Sequence, residues 1–146
     1  MEVRIAGPAD QQPVCRLWDM LLGFYGKKAD WETLTSSFQF VVANPERVLV
    51  FIILIEGVVT GTASLHLGRY STWYGNWYGH IEDVIIDPDY RGRGLAGTLL
   101  QAVIEAARER GLARIELSAL TDNENARRTY ERVGFETDSV AYTLYL

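Results

Sequence analysis

The apolar positions of this chain change period several times, and each change marks an element. Glu2 to Ala6 alternates polar and apolar, as a half-buried strand does, and Gly7-Pro8 closes it. From Asp10 to about Leu22 the apolar residues are Val14, Leu17, Trp18, Leu21 and Leu22, the spacing of a helix stripe, with Gly23 and Gly26 near its end. Asp30 suits a helix N-cap, and Trp31, Leu34, Phe38, Val41 and Val42 form a second stripe that Asn44-Pro45 stops. Val48 to Ile55 and Val58 to Leu67 are strand-like runs around Glu56-Gly57, which predicts an antiparallel hairpin.

A polar and aromatic loop then leads to a strand from about Trp77 to Asp87. Leu95, Ala96, Leu99, Leu100, Val103, Ile104 and Ala107 give the clearest helix, with Gly111 at its C-terminal end. Arg114 to Leu120 is strand-like, and Ala126, Tyr130 and Val133 line one side of a short helix ended by Gly134. Phe135 to Leu146 is strand-like again. Three consecutive strands ahead of a strand–helix–strand unit predict a mixed, mostly antiparallel sheet, not a purely parallel one. The expectation is a single α/β domain over residues 1–146, with six or seven strands flanked by four helices.

Composition changes this picture little. Hydrophobic residues are 48% and charged residues 23%, ordinary for a globular protein. The net charge of −5 supplies no basic stripe for nucleic acid; it weakly favours a cationic ligand and serves solubility equally well. Cys15 is the only cysteine, so no intramolecular disulfide forms. The purely apolar run Val48–Ile55 is far shorter than the ~18 residues of a membrane helix. The opening MEVRIAGPAD lacks a charged-then-apolar signal pattern, so a cytoplasmic protein is expected.

The chemistry concentrates in Asp87-Pro-Asp-Tyr-Arg-Gly-Arg-Gly-Leu-Ala-Gly97. A strand that turns through glycines into a helix presents unpaired N–H groups at one point, which suits a phosphate or pyrophosphate. Gly92 to Gly97 matches GxGxxG, and Glu116 lies about 20 residues on, where a dinucleotide site places its acidic ribose contact. The context argues against NAD(P). Dinucleotide folds normally open with this unit and continue through parallel repeats, whereas here three strands precede it.

Arg91-Gly92-Arg93-Gly94-Leu95-Ala96 fits R/Q-x-x-G-x-G/A and resembles the acetyl-CoA signature of the GCN5-related N-acetyltransferase superfamily. Asn123-Glu-Asn-Ala126-Arg-Arg-Thr-Tyr130-Glu-Arg-Val-Gly134-Phe135 is similar to that family's N-x-x-A-x-x-x-Y-x-x-x-G-F, and the element order from Ala6 onward resembles its fold. Packing alone also accounts for much of the second motif. Ala126, Tyr130 and Val133 form a helix face, Gly134 a cap, and Thr121-x-x-Glu124 a possible capping box.

The resemblance implies roles. The N–H groups of Arg91, Gly92, Arg93, Gly94, Leu95, Ala96 and Gly97 would hold the pyrophosphate of acetyl-CoA. The strand edge at Val84, Ile85 and Ile86 would hydrogen-bond the pantetheine amides as an added strand does. Tyr130 matches the tyrosine that protonates or stabilises the CoA thiolate, and Asn123 an asparagine near the cofactor or, equally, an N-cap. Glu82 stands where family members carry a base or water-positioning carboxylate. Strand alternation predicts that Glu82 and its neighbour Asp83 face opposite sides.

Gly79-His80-Ile81-Glu82-Asp83-Val84 also resembles a strand of glucosamine-6-phosphate N-acetyltransferases, although the C-terminal helix motif departs from that subfamily. Thr129 departs from the superfamily, which usually has an apolar residue before the tyrosine. The implied activity is direct acetyl transfer to a primary amine of a small molecule or peptide. No covalent enzyme intermediate is expected, since Cys15 lies in the first helix. An acyl-CoA-binding sensor without acceptor chemistry is the non-enzymatic alternative.

Tyr70, Trp73, Tyr74, Trp77 and Tyr78 suit the wall of an acceptor pocket, with a cation–π face toward an ammonium, and equally a hydrophobic rim or a homodimer interface. His66 and His80 show no metal-ligand spacing along the chain, and no metal is expected. His80 has the chemistry of a proton relay, though a plain strand histidine is the simpler assignment. No nucleic-acid or membrane partner is expected.

Overall fold

The computed structural model describes residues 1–146. β1 (Glu2–Ile5) precedes α1 (Gln11–Phe24) and α2 (Trp31–Ala43). β2 (Val48–Ile55), β3 (Val58–Ser71) and β4 (Asn76–Ile86) follow. α3 (Leu95–Glu109), β5 (Ile115–Leu117) and α4 (Glu124–Val133) complete the regular structure. The strands lie side by side in chain order, antiparallel except for the parallel β4–β5 pair.

The unbroken apolar run of β2 has a direct cause, because the sheet is covered on both faces. Val50, Ile52 and Leu54 enter one core with Val14, Leu17 and Phe38 of α1 and α2. Leu49, Phe51 and Ile53 enter a second core with Leu99, Leu100 and Val103 of α3. Ile52, Ile53, Leu99 and Leu100 are fully buried, each contributing on the order of 1.5–3 kcal/mol of hydrophobic burial.

Two departures from the expected layout matter. The sheet has five strands, not six or seven. Residues 136–146 carry a strand-like pattern but join no ladder. The second departure is in β4. Ser64 pairs with Glu82 and Thr62 with Ile85, so the register slips between them. Asp83, at φ 56, sits in the left-handed region inside this bulge. The extra residue flips every later side chain. Ile85 therefore faces the α1/α2 core, while Ile86 and Val84 pack against the α3 core.

Candidate active site

β4 and β5 pair only from Gly79↔Ile115 to Ile81↔Leu117. Beyond that point they part, and Glu82–Ile86 keeps β3 on one side with no strand on the other. This wedge leaves a backbone edge that an extended amide-bearing chain can join. The β4 segment ends beside the glycine turn, where Arg91 Nε donates to Ile86 O at 3.2 Å.

The turn itself is built by backbone geometry. Gly92 and Gly94 have φ of 77 and 74, a region L-residues enter at a cost, and Gly94 is the N-cap of α3. A Cβ on either glycine would meet only open space. The first helical bond runs from Thr98 N to Gly94 O, at 3.2 Å. The N–H groups of Gly92, Arg93, Gly94, Leu95, Ala96 and Gly97 have no partner within the protein. They cluster at the positive end of a 15-residue helix, an arrangement suited to a pyrophosphate.

Two ties join this turn to α1. Arg16 Nη2 contacts the buried Asp87 carboxylate at 3.0 Å, and the Arg91 guanidinium lies 5.0 Å from the Phe24 ring. Arg93 lies over Tyr90 at 5.2 Å.

On the α1/α2 face of the same strand, the bulge overturns the alternation expected for Glu82 and Asp83. Both carboxylates point to one side, where their oxygens and a nitrogen of His66 lie within 4.8 Å of one another. Glu82 is 3.7 Å from His66 Nε2 and 3.4 Å from His80 Nε2. The two histidines are direct cross-strand partners, a relation that spacing along the chain does not reveal. Such a cluster has the donor set for a cation or a protonated amine. Burial first, and the charge of Glu82 second, push the Asp83 carboxyl above its usual range, while His66 and Ser64 pull the other way.

This shift makes a stability prediction. The folded chain holds the Asp83 proton to higher pH than the unfolded chain. The resulting stability is complete below the ordinary Asp value of 3.8 and is lost as pH rises through the elevated one. The stability of Asp83→Asn relative to the parent should therefore improve between about pH 4 and 8. Urea unfolding across that range checks it, and a flat difference contradicts the burial argument.

Tyr130 extends from α4 and packs against the α3 core and edge-on to Phe135, ring centroids 6.3 Å apart. Burial pushes its phenol up to about 12, and the nearby Tyr25 at the end of α1 adds to the shift. It stays protonated at neutral pH and remains a hydrogen-bond donor. Asn123 is the N-cap of α4, its side chain accepting from Ala126 N at 3.2 Å. The suggested Thr121–Glu124 capping box does not form around Thr121, whose carbonyl instead accepts from Arg127 at 3.0 Å.

Glu116, the acidic residue of the dinucleotide pattern, is held among cationic and histidine side chains. It sits 2.6 Å from Arg69, 3.8 Å from Arg114 and 3.7 Å from His80. Among the aromatics, Tyr70 and Trp77 form a cross-strand pair at 5.2 Å, and Tyr78 lies against Arg114 at 4.2 Å. Trp73 and Tyr74 stand exposed at the β3–β4 turn. Trp77 is five residues from Glu82 along β4, roughly 17 Å at strand rise. The group lines the far end of the strand and not the carboxylates. Sequence reasoning missed Asp83, because the bulge that turns it toward Glu82 depends on the register of β3.

No helix is long and apolar enough to cross a membrane. Three curated relatives are similar to the chain. Thialysine N-epsilon-acetyltransferase of Caenorhabditis elegans is 44% identical over 45% of this chain and 41% of its own length. Glucosamine 6-phosphate N-acetyltransferase of Trypanosoma brucei brucei is 38% identical over 54% of this chain and 52% of its own. The chain thus spans about half or less of these two relatives. Aminoalkylphosphonate N-acetyltransferase of Salmonella typhimurium is 26% identical over 92% of this chain and 93% of its own.

The fold is shared with a solved probable acetyltransferase, at a TM-score of 0.90 and 23% identity, covering 100% of this chain and 98% of that one. The model of the acetyltransferase (GNAT) family matches residues 14–135, which takes in the wedge, the glycine turn and Tyr130. The chain belongs to the acetyltransferase (GNAT) family.

Proposed function

We propose that residues 1–146 act as one domain that transfers an acetyl group from acetyl-CoA to a primary amine of a small molecule, directly, within a ternary complex. A peptide amine would meet the same chemistry. The observation that carries this reading is the convergence at the parting of β4 and β5. An open backbone edge and six unpaired N–H groups lie beside it, with two carboxylates on the α1/α2 face. The acceptors named for the similar proteins, thialysine, glucosamine 6-phosphate and aminoalkylphosphonates, are small amines and support the reading.

Acetyl-CoA supplies the thioester. The chain's residues hold it and move protons. Val84, Ile85 and Ile86 pair with the pantetheine amides along the edge, and the Gly92–Gly97 N–H groups take the pyrophosphate. The Glu82–Asp83 pair binds the acceptor's ammonium and removes its proton, so that the neutral nitrogen attacks the carbonyl. A carbon–nitrogen bond forms, the nitrogen loses a second proton to solvent, the carbon–sulfur bond breaks, and the sulfur leaves as a thiolate.

Tyr130 faces that thiolate as a hydrogen-bond donor. Its phenol at about 12 lies roughly 3.5 units above an ordinary thiol, so full proton transfer to sulfur is uphill by ~5 kcal/mol. Stabilisation, with final protonation by solvent, is the consistent role. The reading includes a cytoplasmic enzyme that works as a homodimer.

Thermal shifts with acetyl-CoA, CoA, NAD and NADP test the donor assignment. Acetyl-CoA at 100 times its Kd should add about 2.7 kcal/mol, with neither nicotinamide nucleotide doing so. CoA-thiol release across amines, amino sugars, polyamines and peptides then tests transfer. Absence of any CoA stabilisation refutes the donor site. Tight CoA binding with no acceptor on that panel favours a sensor.

A further inference from the structure

Charge is sorted along the face of β4 that carries Glu82. At one end stand the Glu82 and Asp83 carboxylates. His80 follows, its Nε2 3.4 Å from Glu82, and Glu116 of β5 lies 3.7 Å from its Nδ1. His80 and Glu116 are direct partners across the parallel pair, which puts them on one face. At the other end Arg69 of β3 reaches across β4 to Glu116, and Arg114 stands immediately before β5. Two guanidiniums there share one carboxylate, so this end keeps a positive charge while the first end is negative.

The two arginines are not equivalent. Arg69 takes Glu116 at 2.6 Å, whereas Arg114 stays 3.8 Å from the same carboxylate, beyond hydrogen-bond length. The Arg114 guanidinium donates no hydrogen bond within the chain, yet it is not loose. The Tyr78 ring lies 4.2 Å from it and the Tyr74 ring 5.9 Å. A guanidinium held through its face keeps the fork of N–H donors in its plane free. An arginine with a purely structural role would be engaged as Arg69 is. Arg114 is instead fixed, open to solvent and short of an anion, which is the arrangement that receives a carboxylate or phosphate through two parallel bonds.

We infer that the acceptor amine carries an oxyanion at its far end, and that Arg114, with Arg69 beside it, binds that anion and selects the acceptor. The inference rests on the acetyl-transfer reading, in which Glu82 and Asp83 take the ammonium. A molecule lying along β4 then meets complementary charge at both ends, and only one orientation brings its nitrogen to the carboxylates. Length selects as well. Tyr78, which holds Arg114, is four residues from Glu82, roughly 13 Å at strand rise. An α-amino acid has its two charges too close together to engage both ends, whereas a longer ω-amino acid or ω-aminoalkyl phosphate spans them. A diamine is selected against, because the arginines repel its second ammonium.

Acetylation of 6-aminohexanoate beside its neutral amide, 6-aminohexanamide, isolates the anion. The ratio of their kcat/KM values should favour the carboxylate by about 10- to 100-fold, the range of hydrogen bonds to a charged group. The pair 6-aminohexyl phosphate and hexylamine repeats the comparison, and the larger ratio identifies the preferred oxyanion. Arg114→Gln should lower the ratio about tenfold or more, and Arg114→Lys should restore part of it. Arg114→Glu should turn the preference toward 1,6-diaminohexane. A variant that merely folds poorly slows every acceptor together and leaves the ratio where it was. Equal use of anionic and neutral acceptors by the parent chain overturns the inference while leaving acetyl transfer intact. So does a preference that Arg114→Gln and Arg114→Glu both leave unaltered. Failure to acetylate any amine refutes the transfer reading, and this inference with it.

Discussion

The double substitution Glu82→Gln, Asp83→Asn is expected to lower kcat by about 10²–10⁴-fold, the usual contribution of a positioned proton acceptor, and to leave the Kd for acetyl-CoA unchanged. The split follows from the two sides of β4. The carboxylates and His66 gather on the α1/α2 face, while the proposed donor contacts are the free backbone groups of the open edge and of the start of α3. Glu82 and Asp83 share one cluster, so the single substitutions should not add; either remaining carboxylate takes over part of the work. Steady-state kinetics with a saturating amine, beside calorimetry with acetyl-CoA, makes the comparison. A loss of kcat below tenfold would remove the pair from proton transfer. A matching loss of acetyl-CoA affinity would mean that the substitutions had disturbed the strand.

Gly92→Ala with Gly94→Ala should act on the other side. Each glycine occupies the left-handed region, where an L-residue costs about 1–2 kcal/mol. Relaxing that strain turns the N–H groups away from their common point. The added methyl groups would also project into the open space in front of them. Acetyl-CoA affinity should fall about 10- to 100-fold, at 1.4 kcal/mol for each tenfold step. Stability should fall by a few kcal/mol at most, because neither position packs against the core. Calorimetry for the ligand and urea unfolding for the chain separate these effects. Unaltered acetyl-CoA binding in the double variant would place the pyrophosphate somewhere else.

The parts of the fold that were legible in the sequence are those set by local period. α3 shows its core face at Leu95, Leu99, Leu100 and Val103, and all four are buried. Asp30 caps α2 through Thr33 N at 2.7 Å, as its residue type implies. The glycine turn was legible because positive φ and a helix start leave a local signature. What escaped is set between strands. A period of two says which residues share a face only while the ladder is unbroken, and the bulge at Asp83 depends on how Thr62 and Ser64 meet β4. His66 and His80 meet for the same reason. The C-terminal run shows the converse limit: residues 136–146 alternate as a strand does and still join no ladder, because alternation marks two faces and supplies no partner. The raised phenol of Tyr130 involves Tyr25, which the helix motif does not contain.

The wedge between β4 and β5 has a consequence for how this chain can change over time. Its proposed grip on the donor uses carbonyls and amides, which every residue except proline supplies in the same way. Side chains along Glu82–Ile86 can drift, provided they still pack on their own core, without altering what the edge presents. The proposed acceptor end has no such insulation, since its chemistry would reside in the side chains of Glu82 and Asp83. A lineage built on this scaffold can therefore keep one acyl donor fixed while trying new amines, one side-chain exchange at a time.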